Sequence, residues 1–225
     1  IVLEEGLADA ALCGGLGDWI RQYKQIAPII PHTGVSRTYS LSALILPNGV
    51  LFFCDTHLNM DPSAEHVAEM TILAARAVRR FGLKPKAALL SHSTFGASAH
   101  PSARKMREAL AMIHARAPDL EVDGEMHADA ALSEALRGRL VTSSPLKGSA
   151  NLLIMPTLDA ANIALTLLTS STGVLLKFSV FAAPAVSAPP LAMPPLSCTF
   201  TKIVTVPLAL AAGVILNEPP VFGLG

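Results

Sequence analysis

The sequence predicts an α/β protein: a parallel or mixed β-sheet with helices packed on its faces. Three observations carry that expectation. Short apolar runs alternate with amphipathic runs through the first 170 residues. The later apolar runs each lead through a polar turn into a pattern of helical period. No repeat of solenoid length is visible, so a stacked array of identical units is excluded.

The elements follow in chain order. Ala8 to Leu12 reads as a strand. Leu41 to Leu46 and Val50 to Cys54 read as two more, joined by Pro47-Asn48-Gly49. An Asn-Gly pair between apolar runs predicts a tight hairpin, because both residues tolerate positive φ. Asp61 is the expected cap of a helix beginning at Pro62. Its stripe is Val67, Met70, Ala74 and Val78, and Arg76, Arg79 and Arg80 close it, where cations suit the helix dipole. A strand over Lys86–Leu90 precedes a helix from Pro101 to Ala115, with Met106, Leu110 and Ile113 on one face. A strand at Leu120–Val122 precedes a helix over Asp129–Leu140, and one at Asn151–Met155 precedes a helix starting near Asp159.

Composition narrows the function classes. Lys plus Arg number 17 and Asp plus Glu 17, so the net charge is zero, and hydrophobic residues make up 51%. A nucleic-acid binder held by phosphate attraction normally carries a basic excess, so that class is disfavoured. Disorder is excluded for most of the chain by the apolar content. The excess is concentrated after Ser171, where Lys177, Lys202 and Glu218 are the only charged residues and 8 of the 17 prolines lie. Its longest apolar run, Ile203 to Leu216, falls short of the roughly 20 residues that cross a bilayer, so no membrane span is expected. A composition this skewed reads as a buried segment, or as a stretch read out of frame. Cys13, Cys54 and Cys198 form no CxxC pair, so neither a zinc site nor a disulfide framework is signalled. With no secretory signal, a cytoplasmic location is expected. The chain starts at Ile1 without Met, next to an apparent core strand, and reads as part of a longer protein.

Ligands of such sheets bind at the carboxyl ends of the strands. The richest loop is 91–98. Ser91, Ser93, Thr94 and Ser98 supply hydroxyls, Gly96 permits close backbone approach, and Arg104 and Lys105 follow in the next helix. Hydroxyls, backbone N–H groups and a helix N-terminus suit a phosphate or pyrophosphate. The alternative is a capped strand-to-helix turn with no ligand. A P-loop is excluded, since the Gly-Lys-Ser/Thr ending is missing. The second loop, Asp123–Asp129, has carboxylates and His127 for acid–base work. The plainer reading is favoured there: Asp129 caps a helix, Gly124 makes a turn and Glu125 pairs with an Arg. The third is Pro156–Asp159, before a helix in which Asn162 either faces a ligand or serves as a local hydrogen-bonding device. The seven histidines show no HxxxH spacing, so no metal site is expected. No Gly-x-Ser-x-Gly elbow signals a hydrolase.

Several segments, taken in order, resemble phosphate acetyltransferase: Gly6–Ala10, Gly34–Ser36, Phe53–Pro62, Lys86–Gly96, Ala117–Glu125 and Asn151–Ile163. The wording of Pro101–Leu110, Asp123–His127 and Leu158–Ile163 is closer still to the phosphotransacetylase-like C-terminal domain of the large NADP-dependent malic enzymes of bacteria. The resemblance is strong from Gly6 to Leu168.

It implies two three-layer α/β domains with a cleft between them, the second inserted in the first. Residues 34–181 would form the inserted domain. Residues 1–33 and 182–225 would form part of the first, whose opening half is absent. The cleft of the family binds coenzyme A, and in active members its thiolate attacks acetyl phosphate. The family's Ser-Arg-Gly-Cys-Ser motif aligns with Pro195–Thr199, where Pro195 and Leu196 replace the Ser and Arg, Cys198 is retained, and Lys202 replaces a later Asp. The Arg of its Leu-Arg-Pro segment falls near Lys24, with Arg21 one turn earlier. The malic-enzyme version also lacks that motif; there the domain binds acetyl-CoA as an inhibitory signal and holds the oligomer together.

The resemblance therefore implies a regulatory domain that binds acetyl-CoA or CoA and has no catalytic residues of its own. Its ligand-facing candidates are Ser91, Ser93, Thr94, Gly96, Arg104, Lys105, Asn162 and Lys24. Expected partners are the missing N-terminal malic-enzyme domains and further copies of the chain, as a homodimer or larger oligomer. No Gly-x-Gly-x-x-Gly fingerprint is present, so NADP is not expected here. The alternatives are an active phosphate acetyltransferase and an oligomerisation module with an empty cleft.

Overall fold

The computed structural model describes residues 19–26, 37–171 and 176–182. The elements are α1 (Trp19–Ile26), β1 (Tyr39–Leu46), β2 (Gly49–Cys54), α2 (Ala64–Arg80), β3 (Lys86–Leu90), α3 (Pro101–Arg116), β4 (Glu121–Met126), α4 (Ala128–Leu132), α5 (Glu134–Leu140), β5 (Leu152–Ile154), α6 (Leu158–Ser171) and β6 (Leu176–Ala182). The described strands make one six-stranded sheet in the order β4-β3-β5-β2-β1-β6. The pairs β2–β5, β5–β3 and β3–β4 are parallel, while β1 is antiparallel to both β2 and β6. The sheet is therefore mixed, as the alternation of elements predicts.

Alternate residues of β1 to β5 feed two cores. Leu41, Phe52, Leu89 and Ile154 pack with α2 and α3 on one face, through Met70, Ala74, Met106 and Ile113. Leu44, Phe53, Leu90 and Leu153 pack on the other face with α4 and α6, through Ala130, Ala131, Ala161 and Leu165. The period-2 alternation of the strands and the period-3.6 stripes of the helices meet in a three-layer arrangement. All four predicted stripe residues of α2 are buried.

Four local expectations are corrected. The helix after β2 starts at Ala64, and its cap is Ser63, whose hydroxyl accepts from His66 N–H, not Asp61. The hairpin turns through Pro47 and Asn48; Gly49, with φ +137°, opens β2, and Asn48 stays at negative φ. The segment 123–126, expected as a loop, continues β4. It does so because the buried Asp123 carboxylate finds partners in Gly124 N–H and the Ser144 hydroxyl. The helix expected over Asp129–Leu140 is two helices. Ser133 is extended (φ −127°, ψ 108°) and caps α5 by accepting from Leu136 N–H, while His127 rather than Asp129 occupies the cap position of α4.

The expected strand Ala8–Leu12, the apolar run Ile203–Leu216 and the Pro195–Thr199 alignment lie outside the described residues.

Candidate functional site

The parallel strands β2, β3, β4 and β5 present their carboxyl ends along one edge, and the segments that leave them are stitched together. After β2, the buried Asp55 carboxylate collects donors from the Ser40 hydroxyl and the backbone N–H groups of Ser40, His57, Leu58 and Asn59. A carboxylate that accepts this many hydrogen bonds fixes the following turn as a rigid unit. The same turn is tied to the β5–α6 loop by Leu158 N–H to Met60 O at 2.9 Å. Lys105, from α3, completes the staple: its Nζ lies 2.6 Å from Asp61 Oδ1 and 2.9 Å from Pro156 O.

After β3, the 91–98 loop closes on Glu125. That side chain is fully buried. Its Oε1 accepts from the Ser93 hydroxyl at 2.7 Å, Gly96 N–H at 3.0 Å and Arg107 Nη1 at 2.7 Å. Its backbone carbonyl accepts from Phe95 N–H at 2.7 Å. Phe95 (φ +47°) and Gly96 (φ +89°) are both left-handed. The expected pairing of Glu125 with an arginine is present, and the arginine is Arg107.

Burial pushes the Glu125 carboxyl upward. The hydrogen bonds from Ser93, from the backbone of Gly96 and of Glu125 itself, and from Arg107 outweigh it and hold the carboxyl below its ordinary 4.5. Because the folded value is depressed, the associated stability is present above the unfolded value and is lost as pH falls through the folded one. Urea denaturation midpoints are therefore expected to fall as pH is lowered from about 5 through 4.5 and below. In a Glu125→Gln variant that part of the slope is expected to flatten; an identical slope in the variant would refute the assignment.

The candidate residues fall into four groups. Ser91, Ser93, Thr94 and Gly96 are used internally by the loop. The Ser91 hydroxyl accepts from Ser93 N–H, the Ser93 hydroxyl also accepts from Ser98 N–H, and the Thr94 hydroxyl accepts from His127 N–H. On α3, Lys105 is engaged in its staple while Arg104 is exposed. Asn162 is exposed on α6, and its carbonyl accepts from the Thr166 hydroxyl.

Lys24 lies elsewhere. It lines a groove of about 360 Å³ with Ile20, Tyr23, Arg37, Thr38, Leu58 and Asn59. This groove puts two cations, Lys24 and Arg37, beside the turn that Asp55 organises. Such a pair suits a phosphate-bearing ligand. Residue patterns alone do not single out Arg37 and Asn59: Asn59 lies within the Phe53–Pro62 segment, but nothing in that segment marks its side chain, and only the fold brings both residues to α1. Cys54 is buried beside Asp55; burial, and then the Asp55 charge, push its thiol well above its ordinary value, so it is no nucleophile at neutral pH. Among the described residues no group of three or more His, Cys, Asp or Glu is placed to hold a metal ion.

The model of the family described as phosphate acetyl/butaryl transferase matches residues 1–176. The chain belongs to the phosphate acetyl/butaryl transferase family. It is 48% identical over 177 residues to the NADP-dependent malic enzyme of Escherichia coli (strain K12), a match covering 77% of this chain and 23% of that protein. It is 40% identical over 166 residues to the phosphate acetyltransferase of Paracoccus denitrificans, covering 70% of this chain and 52% of that one. The chain thus spans less than a quarter of the malic enzyme and about half of the acetyltransferase. Among solved structures, a phosphotransacetylase from Streptococcus pyogenes superposes with a TM-score of 0.74 at 28% identity, covering 81% of this chain and 57% of that chain. The mixed sheet with its helical layers is the fold of this family. No described helix is long and apolar enough to cross a membrane.

Proposed function

We propose that this chain is the phosphotransacetylase-like regulatory part of a multidomain NADP-dependent malic enzyme of the cytoplasm. In this reading it binds acetyl-CoA along the carboxyl ends of the parallel strands, against the 91–98 loop and Arg104 with Lys24 and Arg37 at the neighbouring groove, and helps to hold an oligomer together. The observation that carries the reading is the 48% identity to malic enzymes over 177 residues. Oxidative decarboxylation of malate would belong to domains outside this chain. The groove between α1 and the β2–α2 turn supports an anionic ligand, since the phosphates of coenzyme A need fixed cations. The replacement of the family's Ser and Arg by Pro195 and Leu196 argues against acyl transfer, which needs a cation on the departing phosphate. Exposed Ile163 and Leu167, one turn apart on α6, and exposed Leu132 and Leu140 supply apolar surface for assembly.

Calorimetry with acetyl-CoA on the full-length protein tests the reading. Binding is expected, and replacing Arg104 or Lys24 with Ala should weaken it by about 1–3 kcal/mol wherever the side chain meets a phosphate. Unchanged affinity in both variants would remove them from the site. A second reading, an active phosphate acetyltransferase, is favoured by the 40% identity to the Paracoccus denitrificans enzyme. Coenzyme A acetylation from acetyl phosphate at a rate near the enzyme median of about 10 per second would establish that reading instead.

A further inference from the structure

From the single hub at the end of β4 we infer that Glu125 is a positioning residue: it sets the shape of the 91–98 loop, and through it the groups that loop presents to a ligand. The ligand half of this inference rests on the acetyl-CoA reading above; the positioning half does not. Glu125 grips the loop before and at its left-handed tip. Ser93 is held before the tip, Gly96 at it, and Phe95 N–H is bound by the main-chain carbonyl of the same residue. A non-glycine residue at φ +47° persists only where its surroundings over-determine it. Every bond that the side chain makes to the loop uses Oε1, and Arg107 supplies the countercharge to the same atom. The second oxygen, Oε2, is buried with no hydrogen-bonding partner among the described residues.

That asymmetry makes the carboxylate hard to replace, even by its isostere. A glutamine that keeps its oxygen toward Ser93, Gly96 and Arg107 puts an NH2 group where Oε2 finds no partner. Turned over, it aims that NH2 at three donors. Either orientation leaves buried polar groups unmatched, so Glu125→Gln is expected to release the loop while the sheet below keeps its register.

The test compares Glu125→Gln with Val78→Ala in the full chain, the latter loosening the core on the α2 face of the sheet, opposite the core that Phe95 packs against. Amide hydrogen exchange of residues 94–98 is expected to quicken by at least about tenfold in Glu125→Gln, with residues 87–90 unchanged. Acetyl-CoA affinity is expected to drop by a similar factor, and Val78→Ala should leave both readouts at wild-type values. Should Glu125→Gln not fold, Ser93→Ala takes its place; it deletes one donor to Glu125 and also the acceptor of Ser98 N–H, so exchange is then read at Phe95 and Gly96 alone. Wild-type exchange at 94–98, or an equal rise throughout the chain, would overturn the positioning role. If the loop loosens but the unaltered protein binds no acetyl-CoA, the ligand reading fails and the positioning role stands. If the loop loosens and binding is unchanged, the loop is positioned by Glu125 but faces no ligand, and the second half of the inference is overturned.

Discussion

Replacing Arg137 with Ala should destabilise the protein by about 3–5 kcal/mol, through lost charge-assisted hydrogen bonds and the cavity left behind. For a chain of this size that corresponds to a fall in Tm of roughly 10 °C or more. Arg137 is among the largest fully buried side chains, and among the described residues no carboxylate pairs with it. Its guanidinium instead spreads over four carbonyls. Nη1 lies 2.9 Å from Ala130 O and 3.3 Å from Ala131 O; Nη2 lies 2.9 Å from Leu146 O and 2.7 Å from Gly148 O. Two of those acceptors end α4, where the helix dipole favours a cation. The other two hold the segment that returns the chain to β5. Lysine reaches only one such cluster, so Arg137→Lys is expected to recover less than half of the loss. Thermal unfolding of the three proteins decides it, and a drop below about 2 °C for Arg137→Ala would contradict the assignment.

Gly124→Ala is expected to be nearly as damaging, at about 2–4 kcal/mol. Gly124 sits at φ +151°, and a Cβ placed there would lie 2.8 Å from both Cβ and O of Leu89. Leu89 is buried in β3, paired with Gly124 on one side and with Ile154 on the other, so its backbone cannot retreat without opening the sheet. The substitution should lower the denaturant midpoint without changing the slope of the transition. A variant as stable as the original would show that β3 and β4 are further apart than described here.

The two residues differ in how far the sequence announces them. Gly124 stands out as a turn candidate within Asp-Gly-Glu, yet its use is different: it allows close approach of two strands inside a sheet. Arg137 looks like an ordinary solvated charge on a short helix, because its four acceptors are main-chain atoms that no side-chain pattern encodes. The elements set by local periodicity were legible. The α2 stripe at Val67, Met70, Ala74 and Val78 is buried as spaced, and β3 spans the expected Lys86–Leu90. Two elements went unread although signals existed. Ile20 and Tyr23 are at helical spacing in α1, and Leu176, Phe178 and Val180 alternate with Lys177 and Ser179 in β6. Within the candidate site, residue types single out the 91–98 loop but do not reveal its internal wiring. Lys105 pairs with Asp61 and Ser93 with Glu125 across long sequence separations, and only the folded sheet brings such partners together.

The placing of β6 beside β1 has a consequence for the order of assembly. β1 and β2 close on each other through a two-residue turn, so that hairpin can form as soon as it is made. The other flank of β1 must wait for Leu176–Ala182, since Leu41 pairs with Val180 and Tyr39 with Ala182. During synthesis a strand as apolar as Leu41–Leu46 therefore stands with one side open until nearly the whole of this unit has been translated. Contacts so distant in sequence slow folding, and an open strand flank invites pairing with a neighbouring nascent chain. The last strand of the sheet thus acts as a closing step, and truncation before Leu176 should show itself first as aggregation during expression rather than as a loss of helix.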